Sequence, residues 1–327
     1  MKKFLVIQTA FIGDVILATA VVEKIHQYYP DAQIDFVLRQ GNEGLLAHHP
    51  FIKNVLVWKK KKNKIKNLLA IIRQVKDVQY DYAITIHRFS SSGLILALSG
   101  ARFKVGFDKN PVSYLFTEKV KHIIGVGRHE VERNQQLIES FTDSVVSRPK
   151  LYPTNENFES VAKYKSSPYV CIAPTSVWFT KQFPKEKWVE LINALPDKNI
   201  YLLGAPADSA VCEEIKSTID IHKNTMCFNL AGKLNFLQSA AMMKDAVMNY
   251  VNDSAPMHMA SAMNAPVTAI YCSTVPAFGF GPLSDNSRIA QTDENLDCRP
   301  CGLHGHKVCP KGHFKCAYSI DINKLII

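Results

Sequence analysis

The chain has 327 residues, which is too long for one ordinary core and suits two domains of the usual size. A hydrophobic fraction of 47% and a charged fraction of 21% are typical of a soluble globular protein. Its longest apolar runs are far shorter than the roughly 20 residues of a membrane-spanning helix. The formal net charge of +10 favours anionic partners, such as nucleic acid, phospholipid headgroups or phosphorylated substrates.

Short apolar runs alternate with helical patterns through the first half of the chain. It begins with FLVIQTAFIGDVILATAVVEKI, in which a buried strand leads through a polar turn into a helix. The lysines before this run resemble a signal peptide, but no convincing cleavage site follows, so we expect a cytoplasmic protein. The alternation predicts right-handed βαβ units around a parallel sheet. The predicted strands are 4–8, 33–39, 52–58, 80–87 and 103–108, and the predicted helices are 15–28, 42–50, 65–75 and 91–100.

A basic segment interrupts this first half. No acidic residue occurs from Phe51 to Lys76, and WKKKKNKIKNLLAIIRQVK combines lysines with helical apolar spacing. Two interpretations remain open: a solvated helix face, or a basic surface that lies against an anionic membrane. A nucleic-acid partner is disfavoured, because no aromatic stacking pattern or nucleic-acid motif accompanies the lysines.

A polar, proline-marked passage over 147–169 separates two α/β halves. We therefore predict domains 1–155 and 156–327, each a Rossmann-like fold, with a cleft between the carboxyl ends of their sheets. No dinucleotide fingerprint, P-loop or hydrolase nucleophile elbow is present. The second half is predicted to contain strands 169–174, 199–206, 225–232, 247–253 and 266–272, and helices 185–195, 207–219, 235–246 and 255–264.

Eight cysteines are present, and four of them lie together with histidines in CRPCGLHGHKVCPKGHFKC. In a cytosolic protein such a cluster favours zinc over disulfides, although the spacing matches no standard zinc site. We favour thiols that order a C-terminal loop, and a zinc site remains the alternative. The four clustered residues are Cys298, Cys301, Cys309 and Cys316.

Polar residues that suit a nucleotide follow three strands of the second half. Lysine, hydroxyl and helix N-terminal N–H groups bind phosphate oxygens, and a carboxylate accepts hydrogen bonds from ribose hydroxyls. Taken singly, each residue has a structural interpretation as a helix cap, a surface lysine or a core histidine. Their shared position at strand ends favours a nucleotide site. The residues are Thr175, Ser176, Lys181, Asp208, Asp253, Ser254 and His258.

Five stretches carry a resemblance to a known family: FIGDVILATAV, APTSVWFTKQFPKEKWVEL, LLGAPADS, LAGKLNFLQSAAMMKDA and YVNDSAPMHMASAMNAPVTAIY. In this order they resemble the motifs of glycosyltransferase family 9, the ADP-heptose:lipopolysaccharide heptosyltransferases. The cysteine-containing tail is similar to that of the heptosyltransferase II branch. The resemblance implies an α/β fold of GT-B architecture, with acceptor bound by the first domain and nucleotide-sugar by the second.

The resemblance also implies roles for individual residues in an inverting transfer that needs no cofactor or metal and uses ADP-heptose as substrate. Asp14, after Gly13, matches the general base, and Lys181 matches the lysine on the diphosphate. The match assigns donor binding to Thr175, Ser176, Asp208, Asp253, Ser254, Ala255 and His258. Ala255 stands where the family commonly has glycine, and Asp208 where it often has glutamate.

The acceptor is expected to be anionic. His87 and Arg88 follow a strand of the first half, and Gly13 precedes Asp14, so these residues are candidates for binding it. The resemblance implies the inner core of lipopolysaccharide as acceptor and peripheral association with the inner leaflet of the cytoplasmic membrane. Alternatives are a family relative with another nucleotide-sugar or surface-glycan acceptor, and a non-catalytic nucleotide- or glycan-binding homologue.

Overall fold

The structure is a computed structural model that describes residues 1–195, 198–220 and 226–326. The chain divides into two compact units, Met1–Tyr152 and Pro153–Ile327. We call them the first and second units and describe each by itself. Within the described ranges, no helix is both long enough and apolar enough to cross a membrane.

The first unit contains a six-stranded parallel sheet in the order β3-β2-β1-β4-β5-β6. Its strands are β1 (Lys3–Ile7), β2 (Gln33–Arg39), β3 (Ile52–Trp58), β4 (Tyr82–Thr85), β5 (Phe103–Phe107) and β6 (Glu118–Val120). Its helices are α1 (Ile12–Tyr28), α2 (Lys64–Val78), α3 (Ser90–Ala97) and α4 (Glu130–Gln136). The strand order is that of a doubly wound Rossmann-like fold.

The core of the first unit forms around β1 and α1. Phe4 to Ile7 are fully buried, as expected for a central parallel strand that is covered on both faces. In α1, Val15 to Ile25 are also buried, so this helix is enclosed rather than amphipathic. The polar start of α1, which carries Asp14, is therefore held by a rigid buried strand and a rigid buried helix.

The second unit repeats this topology with the order β12-β11-β10-β7-β8-β9. Its strands are β7 (Tyr169–Ala173), β8 (Asn199–Leu202), β9 (Cys227–Asn229), β10 (Met248–Asn252), β11 (Val267–Tyr271) and β12 (Ser287–Gln291). Its helices are α5 (Asn155–Ala162), α6 (Lys185–Ala194), α7 (Ser209–Thr218), α8 (Phe236–Lys244), α9 (Ala255–Ala262) and α10 (Lys315–Tyr318). When the strands of each unit are numbered from one to six along the chain, both sheets have the order 3-2-1-4-5-6.

The residues after β12 complete the core of the second unit. Ala317, Ile320 and Leu325 are buried in the same cluster as Trp188 of α6 and Ile270 of β11. The tail is also hydrogen-bonded to the sheet, since the hydroxyl of Tyr250 in β10 donates to the carbonyl of Leu325 at 2.9 Å. The tail is therefore part of the folded domain.

Several predicted elements differ from the structure. The helix predicted at 42–50 is only a single 3-10 turn, Glu43–Leu45. The passage 147–169, predicted as a linker, contains α5, which Thr154 caps by accepting from the backbone N–H of Asn157. The elements β6, α4 and β12 were not predicted. Residue 225, the start of one predicted strand, lies outside the described residues, and that strand is observed as β9.

Candidate active site

Each sheet has one topological switch point, where the strand order reverses and ligands bind in open α/β folds. In the first unit it lies between β1 and β4, and in the second between β7 and β10. Asp14 and His87 follow β1 and β4, whereas Lys181 and Asp253 follow β7 and β10. These four predicted site residues thus follow the strands that flank the switch point of their unit, where open α/β folds bind ligands.

Asp14 is the third residue of α1, because the helix begins at Ile12 and not after the carboxylate as predicted. Its Oδ2 accepts a hydrogen bond from the backbone N–H of Phe11 at 3.0 Å, so the carboxylate closes the first turn. The side chain is half-buried, and it interacts electrostatically with Arg39 and Glu130. Gly13 lies one residue earlier in the same turn. Asp14 therefore caps its helix and also lies among charged groups of the first unit.

His87 and Arg88 lie just beyond β4, next to the turn that follows β1. The Nδ1 of His87 is 3.0 Å from the hydroxyl of Thr9. Burial, together with the positive charges of Lys60, Arg88 and Arg39, lowers the pKa of His87 to about 4. His87 is consequently neutral near pH 7 and can exchange hydrogen bonds with hydroxyl groups without adding charge.

Three charged residues near Asp14 or His87 were missed by the sequence analysis: Arg39 at the end of β2, Lys60 after β3, and Glu130 at the start of α4. Arg39 lies over the ring of Phe11, with 4.7 Å from its guanidinium carbon to the ring centroid. Glu130 is bound to Arg133 at 2.7 Å, and burial raises its pKa. These residues follow elements that are distant in sequence, so only the strand order brings them together.

The central feature of the second unit is an ion pair between the Nζ of Lys181 and the Oδ2 of Asp253, at 2.7 Å. The same carboxylate oxygen accepts from the hydroxyl of Thr274, also at 2.7 Å. Asp253 is buried, and the N-cap position of α9 is occupied by Ser254, so Asp253 is not a helix cap. The carboxylate instead fixes the lysine at the switch point.

Asn252, the last residue of β10, holds the lysine loop against the sheet. Its Oδ1 accepts from the backbone N–H of Phe183 at 2.9 Å, and its Nδ2 donates to the carbonyl of Pro174 at 2.9 Å. The side chain is fully buried. Sequence reasoning passed over this residue, although it fixes both ends of the loop that carries Lys181.

Five other predicted donor residues follow the same two strands, β7 and β10. Thr175 and Ser176 are half-buried directly after β7. Ser254 donates to the carbonyl of Asn252 at 3.4 Å, Ala255 opens α9, and His258 is buried within that helix. Pro256 at the second position of α9 removes one of the N–H donors that a helix N-terminus offers.

Asp208 is placed differently from its predicted role. It follows β8, and its Oδ2 accepts from the backbone N–H of Ala205 at 2.7 Å. The carboxylate thus stabilises its own turn, next to Gly204, where an added Cβ would lie 2.8 Å from the Cβ of Asp208. An interaction of Asp208 with ribose remains a prediction.

The four clustered cysteines are free thiols, and the Sγ of Cys298 lies 4.0 Å from the Nε2 of His313. Burial raises the pKa of Cys316 to about 11. Across the described residues, no three His, Cys, Asp or Glu side chains are arranged to hold a metal ion. Thiols that order the tail, and the zinc alternative, both stay predictions.

Two Rossmann-like sheets, each with charged residues at its switch point, are typical of GT-B glycosyltransferases. The family model of glycosyltransferase family 9 (heptosyltransferase) matches residues 68–309. The chain belongs to this family and is therefore an enzyme that transfers heptose. The predictions of family, fold class and enzymatic nature are confirmed.

Similar proteins agree with this assignment. Lipopolysaccharide heptosyltransferase 3 of Escherichia coli is 29% identical over 291 residues, which are 84% of this chain and 83% of the relative. The structure of E. coli ADP-heptose LPS heptosyltransferase II has a TM-score of 0.78 at 22% identity, with 92% and 96% of the chains covered. E. coli heptosyltransferase WaaC with ADP has a TM-score of 0.72 at 19% identity, covering 88% of this chain and 92% of that chain.

Proposed function

We propose that this enzyme transfers heptose from ADP-heptose to an inner-core lipopolysaccharide acceptor, with inversion at the anomeric carbon. The observation that carries the proposal is the Lys181–Asp253 ion pair at the switch point of the second sheet. The names of the relatives support the donor and acceptor, since they include lipopolysaccharide heptosyltransferase 3 and a WaaC structure with ADP. In this proposal the second unit binds the donor and the first unit binds the acceptor.

The donor chemistry follows from the charge that develops as the diphosphate leaves. Lys181 has three N–H donors, and the bond to Asp253 uses one of them and fixes the direction of the others. The ammonium then stabilises the departing diphosphate, and the N-terminus of α9 adds the positive end of its dipole. Because the lysine is fixed before the donor binds, little reorganisation is needed during the reaction.

The acceptor chemistry requires a base for the attacking hydroxyl. In one displacement, the acceptor oxygen bonds to the anomeric carbon on the face opposite the diphosphate while the bond to the diphosphate breaks. The hydroxyl proton passes to the carboxylate of Asp14. A single displacement of this kind inverts the anomeric centre. Arg39, Lys60 and Arg88 then provide positive charge for the phosphates or acidic sugars of the acceptor.

A substitution of Asp14 tests this mechanism. Asp14→Asn should reduce the rate of transfer by at least about a hundredfold, as expected for loss of a general base, and should leave ADP affinity unchanged. Asp77→Asn, on the exposed surface of α2, is the matched control. Ordinary turnover by Asp14→Asn would remove Asp14 from the mechanism. Tighter binding of UDP or GDP than of ADP would favour another nucleotide-sugar.

We also propose that the protein is cytoplasmic and associates peripherally with the inner leaflet through the start of α2. Residues 59–66 are all exposed and contain six lysines. Ile65 and Leu69, one helical turn apart, are exposed by 74% and 48% beside these lysines. Lysines beside exposed apolar side chains favour contact with an anionic lipid surface over the interpretation as a purely solvated helix face.

Vesicle sedimentation tests the membrane proposal. The protein should bind vesicles of phosphatidylglycerol and not those of phosphatidylcholine, and binding should weaken with added salt. The triple variant Lys61→Glu, Lys62→Glu and Lys66→Glu should lose this binding. Exposed lysines of the second unit provide a control with the same change in charge: Lys307→Glu, Lys311→Glu and Lys315→Glu. Equal loss in both triple variants would attribute binding to net charge and not to α2.

A further inference from the structure

We infer that the start of the cysteine- and histidine-rich tail, residues 299–306, is a positioning element for Lys181. The inference rests on the proposed function, because it takes Lys181 as the group that binds the diphosphate. Residues 299–306 contact the lysine loop on one side and the end of β11 on the other. We call them the positioning loop.

The first contact is a pair of hydrogen bonds to Thr180, the residue before Lys181. The backbone N–H of His306 donates to the Oγ1 of Thr180 at 2.7 Å. The backbone N–H of Thr180 donates in turn to the carbonyl of His306 at 3.1 Å. Thr180 is buried, so these bonds are shielded from water and fix its backbone firmly.

The second contact is the close approach of Gly305 to the lysine itself. Its φ of +76° is one that L side chains rarely adopt. A Cβ added at Gly305 would lie 2.9 Å from the Oγ1 of Thr180 and 3.0 Å from the Cγ of Lys181. Thr180 cannot move away easily, because its hydroxyl also accepts from the hydroxyl of Ser273 at 3.0 Å. Only glycine allows the loop to lie against the stem of Lys181 in this way.

The third contact joins the positioning loop to the carboxylate side of the ion pair. Arg299 donates from Nε to the carbonyl of Cys272 at 2.8 Å and from Nη2 to the carbonyl of Thr274 at 2.9 Å. The backbone N–H of Cys301 donates to the carbonyl of Ser273 at 2.7 Å. Since Thr274 holds Asp253, the same loop fixes both Lys181 and the segment that orients its partner.

These contacts assign a role to a motif that the transfer chemistry does not use directly. None of the positioning-loop contacts requires a thiol, a metal ion or contact with substrate. The loop sets where the ammonium of Lys181 lies, and a small displacement of a positioned group can reduce activity strongly. Arg299 and Gly305 are therefore positioning residues and not catalytic residues.

Two glycines with the same backbone strain provide the test. Gly305→Ala introduces strain and a collision with Thr180 and Lys181. Gly312→Ala introduces the same strain at a φ of +74°, but no atom lies within 4 Å of its added Cβ. Both variants should lose thermal stability, and Gly305→Ala should lose more, because the collision adds to the shared strain. Calorimetry with ADP should show affinity at least about tenfold weaker for Gly305→Ala, and within about twofold of wild type for Gly312→Ala.

A third variant covers the case in which Gly305→Ala fails to fold. Arg299→Lys keeps the charge but loses the fork that spans two carbonyls, and it should also weaken ADP binding and raise the donor KM with the acceptor KM unchanged. If Gly305→Ala and Arg299→Lys bind ADP as tightly as the control Gly312→Ala does, the positioning role is overturned.

Lys181→Ala separates this outcome from failure of the proposed function. If Lys181→Ala weakens ADP binding but the loop variants do not, only the positioning role is wrong. If Lys181→Ala binds ADP normally, the proposed role of the lysine is wrong, and the positioning inference is overturned with it.

Discussion

Replacing Lys181 alone should destabilise the second unit more than replacing both members of the Lys181–Asp253 pair. At 2.7 Å, with an effective dielectric constant of about 20, the Coulomb attraction is about 6 kcal/mol before the cost of desolvation. The side chain of Asp253 is only 8% exposed, so Lys181→Met leaves a buried carboxylate without its cation. Among the described side chains, the hydroxyl of Thr274 is then the donor that still binds this carboxylate. We expect a loss of about 3 to 5 kcal/mol in the free energy of unfolding.

A double-mutant cycle measures this coupling. Asp253→Asn should cost less than Lys181→Met, because the lysine is 16% exposed and its flexible stem can turn towards water. The double variant should cost less than Lys181→Met alone, and less than the sum of the two single costs by about 1 to 3 kcal/mol. Native-state amide hydrogen exchange in β7 and β10 reports on this unit separately from the first. A coupling near zero would mean that the pair does not form in solution.

Three further predictions concern other residues. Asn252→Ala leaves the buried N–H of Phe183 without its 2.9 Å acceptor, and should cost the second unit about 1 to 3 kcal/mol by the same exchange measurement. Burial is the main cause that lowers the pKa of His87 from 6.5 to about 4, so the folded first unit should lose stability as pH falls from 6.5 to 4. Between pH 7 and pH 4.5, the free energy of urea unfolding should therefore change less for His87→Gln than for wild type. Iodoacetamide at pH 8 should label the half-buried Cys309 before Cys316, whose pKa is raised to about 11 by burial, as followed by peptide mass spectrometry.

Parallel strands that carry apolar runs were the most predictable elements. The bounds of β2 and β3 were predicted correctly, because apolar runs of this length between turn residues have few other structural solutions. In contrast, β12 has four exposed residues out of five, and β6 has only three residues. Neither carries an apolar run, so their pairing depends on the neighbouring strand and not on local sequence.

The candidate site was predictable where it follows strand ends. Lys181 and Asp253 were identified by their position and by the family resemblance, but their ion pair was not, since it joins segments 72 residues apart. Arg39 and Lys60 could not be found, because their proximity to His87 depends on the order of strands in the sheet. The contact of Gly305 with Lys181 was missed because it depends on how the tail packs against the lysine loop, which the local sequence does not reveal.

The packing of the tail has a consequence for how the protein matures during translation. Ala317, Ile320 and Leu325 belong to the core beneath the second sheet, and they are synthesised after all six of its strands. The first unit needs none of these residues and can fold while the ribosome is still at work, because domains generally fold as units from the N-terminus. Under the proposed roles of the two units, nascent chains should therefore complete the acceptor-binding unit first, and the nucleotide-binding unit only near release.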